Sequence, residues 1–222
     1  MKAGNKEYMN LHDLPDRVPV FPLKGCLLLP GGHMPLNIFE PRYLAMIDDA
    51  MASDKLIGMI QPCLTQDENG SATEKLSGVG CLGRITAFQE TGDGRYLITL
   101  CGVSRFNQVE ELSVNTDYRQ CRIEAFEDDL ENDDEGININ REDLLRAFRN
   151  YLDANQMNAD WDSINKTDSP TLVTALCMMC PYDPIEKQAL LEAPDLQTRA
   201  ETLVALSEIH LARQGYDDNQ IQ

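Results

Sequence analysis

The sequence predicts an α+β protein, with a β-rich first half and an all-helical second half. Three observations carry that reading. Short runs of strand length recur from Val18 to about Glu127. An acidic block, "EDDLENDDE" from Glu127 to Glu135, then places seven acids in nine residues. Beyond it, apolar residues recur at helical spacing behind capping residues. The expected organisation is a flexible polar tail over 1–16, a β-subdomain over 17–127, an acidic linker over 128–139, a helical bundle over 140–214 and a polar tail over 215–222.

Taken in order, "VPVFPL" is a proline-bounded strand, and "KLIGMIQPC" is a compact apolar run of strand length. Between them "EPRYLAMIDDAMASD" sets Tyr43, Leu44, Ile47 and Met51 on one helical side, with Pro41 suited to a first turn. "GVGCLGRITAFQE" and "RYLITLCGV" flank Gly92-Asp93-Gly94, which is hairpin chemistry. "YRQCRIEAF" alternates, with Cys121, Ile123 and Ala125 on one face. In the helical half, Asn140 is a plausible cap for a helix aligning Leu144, Phe148, Tyr151 and Leu152. Ser169-Pro170 and Asp183-Pro184 each place a capping side chain before a proline, and Asp195 opens a last helix with Leu196, Ala200, Leu203 and Leu206 inward.

The bulk properties exclude several classes of function. No apolar run reaches the length needed to cross a bilayer, and the N-terminal stretch has no apolar signal core, so a cytoplasmic protein is expected. Seven cysteines, scattered mostly inside apolar runs, suit reduced thiols. A formal net charge of −18 disfavours nucleic acid and anionic membranes as partners and favours proteins or polypeptides.

No motif delivers a catalytic site. Gly78, Gly80 and Gly83 in "GVGCLG" satisfy a dinucleotide-binding pattern literally, but "RITAFQE" follows as strand where that chemistry requires a helix N-terminus. The three glycines are therefore expected to permit a bend or close strand packing. Cys177-Met-Met-Cys180 lies near the C-terminal end of a predicted helix, where the dipole opposes a thiolate, and no second pair at zinc-site spacing accompanies it. Buried apolar cysteines are the plain reading. The three histidines are far apart, and neither a nucleophile elbow nor a phosphate loop occurs in the sequence. Neither a metal nor any other cofactor is expected.

"VPVFPLKGCLLLPGGHMPLNIFEPRYLAMIDDAM" resembles the start of the Lon N-terminal, substrate-binding, domain. The resemblance continues in order through "DKLIGMIQP", through "GVGCLGRITAFQETGDGRYLITLCGVSRFNQVEE" with its G-x-x-G-R-I and G-x-x-R-F spacings, and through "LCMMCPYDPIEKQALLEAPDLQTRAETLVAL". It implies a PUA-like β pseudo-barrel of about six strands with one or two helices, followed by a C-terminal helical bundle. It also implies a module that helps select polypeptide substrates, here without the Lon ATPase and protease domains.

The expected function is accordingly non-catalytic polypeptide binding, with an intact Lon protease in trans as a further partner. The alternatives are an assembly or regulatory protein that self-associates weakly or binds one dedicated partner, and an enzyme whose site is unrecognised. Strand addition or apolar anchoring would use the residues bracketing the Pro-Gly turn, Leu28, Leu29, Met34 and Leu36, although ordinary core is the plainer reading of each. Glu40, Pro41, Arg42 and Tyr43 of "FEPRY" are expected to be structural, shaping the helix N-terminus.

Overall fold

The computed structural model of the chain describes residues 1–66, 72–131 and 139–219. In chain order the elements are β1 (Lys2–Ala3), β2 (Lys6–Glu7), a 3₁₀ turn (Leu11–Asp13), β3 (Arg17–Pro22), β4 (His33–Ile38), α1 (Pro41–Ala52), β5 (Leu56–Gln66), β6 (Ala72–Glu90), β7 (Tyr96–Glu111) and β8 (Gln120–Ala125). A second 3₁₀ turn (Glu127–Leu130) precedes α2 (Arg141–Ala154), α3 (Trp161–Lys166), α4 (Ser169–Met179), α5 (Pro184–Glu192) and α6 (Leu196–Asn219). The chain divides into two units, Met1–Asp133 with Tyr182–Leu191, and Asp134–Pro181 with Glu192–Gln222.

The first unit is a closed barrel carrying one extra strand. The sheet runs β4-β7-β6-β5-β3-β8, and β8 pairs back onto β7, so five strands close while β4 stays outside the ring. β3 and β5 pair in parallel, Val20 opposite Gly58. A parallel pair needs a crossover, and β4 with α1 supplies it. Phe106, fully buried, sits in a core with Val18, Val20, Leu82, Val103, Cys121 and Ile123. Glycines make room for its ring. A Cβ on Gly58 would stand 3.0 Å from Phe106 Cζ, and one on Gly80 would meet the same ring and approach Met59 O to 2.7 Å. Gly83 is similarly filled, by Leu28 Cδ2 at 2.8 Å, whereas Gly78 has nothing within 4 Å. The "GVGCLG" glycines therefore lie inside β6, where Gly80 packs against the Phe106 ring and Gly83 against Leu28.

Two segments depart from the expected organisation. Residues 1–16 are not a free tail: Ala3 and Tyr8 are buried in the barrel core, and Arg84 Nη1 donates to Tyr8 Oη at 3.3 Å. Strands of two residues leave no periodicity to read, and one aromatic anchors the segment. The acidic block also begins inside the barrel unit. Leu130 is buried, and Asp129 accepts from Arg105 Nη2 at 2.8 Å, Nε at 2.9 Å and the Arg105 backbone N–H at 2.7 Å. Residues 132–138, the greater part of the expected linker, lie outside the described residues.

α5 packs with the barrel unit although the sequence placed it with the other helices. Polar side chains fix it there. Lys187 Nζ donates to Gly25 O (2.9 Å), Gln188 Nε2 to Val79 O (3.1 Å), and Gln61 Nε2 to Pro184 O (2.9 Å). The same Gln61 accepts from Gly25 N–H at 3.1 Å, so both ends of its amide are used. Lys187, only 8% exposed, buries its stem on the way to that carbonyl.

The second unit is helical. Leu144, Ala147, Tyr151 and Leu152 form the buried face of α2, and Ala200 and Leu203 are buried on α6. Asn140 caps α2 by accepting from Asp143 N–H, and Asp195 caps α6 by accepting from Thr198 N–H. α4 is capped by Asp168, one residue before the expected Ser169, leaving Ser169 and Pro170 in its first turn. α3, which the sequence reading did not resolve, is six residues long and capped by Asp160. α6 runs to Asn219, past the expected boundary at 214.

Candidate functional site

β4 is the one strand of the six-stranded sheet with a single partner among the described residues. Two hydrogen bonds fix which way its backbone groups point. Gly102 N–H donates to Gly32 O (2.9 Å), and at the hairpin end Thr91 N–H donates to Arg95 O (3.0 Å). Antiparallel alternation from either end directs Tyr96, Ile98 and Leu100 of β7 at β4, and Leu97 and Thr99 at β6. Met34, Leu36 and Ile38 are thus bonded to β7, and the backbone groups of His33, Pro35 and Asn37 face outward. Pro35 is tolerated because its missing N–H falls on the free side. The edge offers three carbonyls and two N–H donors to an incoming strand.

The edge from His33 through Phe39 carries no Asp, Glu, Lys or Arg, in a chain of net charge −18. Met34 and Leu36 are half-buried on the face shared with buried Ile38. On the other face Phe39 is 61% and Leu97 43% exposed, with the Arg95 guanidinium 6.0 Å from the Phe39 ring centroid. A strand with one free edge, flanked by exposed apolar side chains, is a surface to which an extended polypeptide can add.

Of the four expected contact residues, only two lie on this strand. Leu28 and Leu29 are 2% and 0% exposed, which removes them as contacts. The Pro30-Gly31 turn folds that run inward: Gly31 N–H donates to Gly102 O and Gly32 N–H to Leu29 O, with Leu29 O packed where a Gly102 Cβ would be. An apolar run reads alike whether it faces core or solvent.

In "FEPRY", Pro41 is the first residue of α1, and Glu40 precedes it without a side-chain cap bond. The Glu40 carboxylate instead accepts from Arg42 Nε (3.0 Å) and Nη2 (2.8 Å). Tyr43 is buried against Phe21, ring centroids 4.3 Å apart, and burial raises its hydroxyl pKa. Arg42 lies over that ring, 4.5 Å from its centroid.

These residues open onto a feature that the sequence reading missed, a cleft of about 250 Å³ in the barrel unit. Lys24, Arg42 and Arg119 line it together with Glu74 and Asp117, and Tyr43 and Tyr118 wall it. Arg119 is held by Glu111 through Nε and Nη2, both at 2.6 Å, while its Nη1 stands 3.7 Å from Glu74. Tyr118 donates to Asp49 Oδ2 at 2.7 Å; burial and then that carboxylate push its pKa to about 12. The lining residues come from five separate segments, so sequence spacing carries no sign of the cleft.

Cys177 and Cys180 are both buried, and burial pushes the Cys177 thiol up to about 12, away from thiolate chemistry. Among the described residues no group of three His, Cys, Asp or Glu side chains is placed to hold a metal. No helix is long and apolar enough to cross a membrane among those residues.

Comparison with known proteins matches residues 17–206 to the family described as the ATP-dependent protease La (LON) substrate-binding domain. The chain is 28% identical over 202 residues to Lon protease 2 of Myxococcus xanthus, covering 89% of this chain and 24% of that protein. It is 29% identical over 207 residues to a Lon protease of Anaeromyxobacter dehalogenans, covering 91% and 24%. The chain thus spans about a quarter of the length of these relatives. A Lon N-terminal domain protein from Xanthomonas campestris superimposes with a TM-score of 0.59 at 21% identity, over 85% of this chain and 97% of that one. The N-terminal domain of a Mycobacterium avium complex Lon protease gives 0.56 at 17%, over 87% and 99%. At these identities the two structures establish the shared fold.

Proposed function

We propose, from the premise that this chain belongs to the Lon substrate-binding domain family, that it is a non-catalytic module holding extended polypeptide by strand addition at β4. The observation that carries the reading is the outward-facing backbone of His33, Pro35 and Asn37 on an edge without Asp, Glu, Lys or Arg. A chain added there would gain main-chain hydrogen bonds irrespective of its sequence and set alternate side chains against Phe39 and Leu97 on one face, Met34 and Leu36 on the other. Such a site suits unfolded segments, in which apolar residues and unpaired amides are exposed together. Pro35 weakens the edge by one donor, which favours reversible capture over permanent sheet growth. Any chemical step on the captured chain would fall to another protein, an intact Lon protease acting in trans being one such partner.

The test is fluorescence anisotropy with a labelled, carboxymethylated and permanently unfolded reporter protein. Asn37→Pro removes an outward N–H and puts a ring on the docking side without touching a β4–β7 bond. Asn37→Ala keeps the N–H. The expected result is reporter binding about tenfold weaker in Asn37→Pro, given the net value of one or two main-chain hydrogen bonds, and unchanged in Asn37→Ala, with matching circular dichroism. Equal binding by native protein and Asn37→Pro would contradict strand addition. Saturation by one stoichiometric native protein, with the reporter ignored, would favour a dedicated assembly role.

A further inference from the structure

The cleft of the barrel unit has an electrostatic character unlike the rest of the chain. Lysine and arginine number 19 against 37 aspartates and glutamates in the whole sequence, yet three cations and two carboxylates line this one space of about 250 Å³. Two of the cations are pre-oriented. Glu40 holds Arg42, and Glu111 holds Arg119, each through Nε and Nη2, so the Nη1 end of each guanidinium is left for another acceptor. The Nη1 of Arg119 rests 3.7 Å from Glu74, long for an ion pair, and the Glu74 side chain is 59% exposed and readily displaced. Lys24 is exposed and makes no ion pair with a described residue. The arginines supply planar donors and Lys24 a mobile point charge.

The charges also limit the ligand. Glu74 and Asp117 in the lining, with Glu40 and Glu111 behind the arginines, set four carboxylates against three cations, so a dianion such as a phosphate monoester is disfavoured and an incoming anion must take the place of displaceable Glu74 beside Arg119. A single carboxylate fits. The walls are Tyr43, Tyr118, Pro22 and Pro62, apolar surface enough for one residue beside that carboxylate. Resting on the polypeptide-binding reading above, we propose that this cleft receives the α-carboxylate at the C-terminus of a bound polypeptide, with Arg42 Nη1, Arg119 Nη1 and Lys24 Nζ as its donors. The site would then distinguish a chain end from a chain middle, which β4 alone does not do.

Three fluorescein-labelled heptapeptides test this by anisotropy at low salt: Ser-Val-Leu-Ser-Val-Leu-Ala with a free C-terminus, the same peptide amidated, and an amidated version carrying one internal Glu. The free acid is expected to bind about tenfold more tightly than the amide, the scale of a charge-assisted contact. That preference should vanish in Lys24→Gln/Arg42→Gln, and should survive in Asn37→Pro even as all three peptides weaken. Equal binding of acid and amide by native protein overturns the proposal while leaving polypeptide binding intact. A tenfold preference that persists in the double variant also overturns it. If the internal-Glu amide matches the free acid, the cleft reads any carboxylate and the chain-end assignment fails. Failure of all three peptides to bind overturns both readings together.

Discussion

Removing the Asp129 carboxylate should destabilise the barrel unit far more than its place in an acidic run implies. The Arg105 side chain is 3% exposed and Asp129 10%, with Nε and Nη2 of Arg105 both on the carboxylate and the Arg105 backbone N–H on Oδ2 at 2.7 Å. The same guanidinium lies 4.9 Å from the Phe126 ring centroid and donates through Nη1 to Leu191 O in α5 at 3.3 Å. Asp129→Ala leaves a desolvated cation with its main acceptor gone, and the cost expected is about 3–5 kcal/mol. Replacing both partners with apolar residues, Arg105→Met with Asp129→Leu, should recover most of that loss, because no buried charge then remains. Urea unfolding followed by circular dichroism measures both variants. Because Arg105 also bonds α5, amide exchange in Lys187–Leu191 should quicken in Asp129→Ala before exchange in β6 does. A loss below about 1 kcal/mol in Asp129→Ala would show that water reaches the pair and would refute the burial argument.

The remaining predictions concern packing, pH and thiol access. Gly80→Ala should cost about 2–3 kcal/mol by forcing a methyl against Met59 O and the Phe106 ring, whereas Gly78→Ala, with nothing within 4 Å, should stay within about 0.5 kcal/mol of native; thermal melts of the pair compare them directly. The Tyr118 pKa is raised to about 12 from an ordinary 10.0, so the folded state holds its proton where the unfolded state has lost it. The stabilisation is complete below pH 10 and disappears as pH rises towards 12, and Tyr118→Phe should flatten that alkaline limb in a pH series of unfolding curves. Burial pushes Cys121 up to about 11 and Cys177 to about 12, and Cys81, Cys101 and Cys180 are buried with them. Native protein at pH 8 should therefore release thiol signal to Ellman's reagent first from half-buried Cys26 and Cys63, and from the other five only with unfolding.

The division into a β-rich half and a helical half was legible because it rests on periodicity, which survives without knowledge of contacts. So was the dismissal of "GVGCLG" as a nucleotide loop, since the β-branched residues after Gly83 forbid the required helix. What escaped was anything decided by burial or by distant partners. Leu28 and Leu29 belong to the core while Met34 and Leu36 lie on an edge, yet all four look alike in composition. Asp129 was counted with its acidic neighbours because a charge run does not announce which member meets an arginine 24 residues earlier. α5 has an ordinary capped-helix signature, and only Lys187, Gln188 and Gln61 reveal that it belongs with the barrel unit. The charged cleft is assembled from segments as distant as Lys24 and Arg119, a convergence that sequence spacing does not show.

The most direct test of strand addition at β4 is residue-resolved amide exchange by NMR, with and without the unfolded reporter. The His33 and Asn37 amides, which point outward, should exchange quickly in the free protein and slow at least about tenfold on binding, while Met34 and Leu36, already bonded to β7, change little. Protection that appears elsewhere in the molecule, with His33 and Asn37 still exchanging at their free rates, would contradict the account.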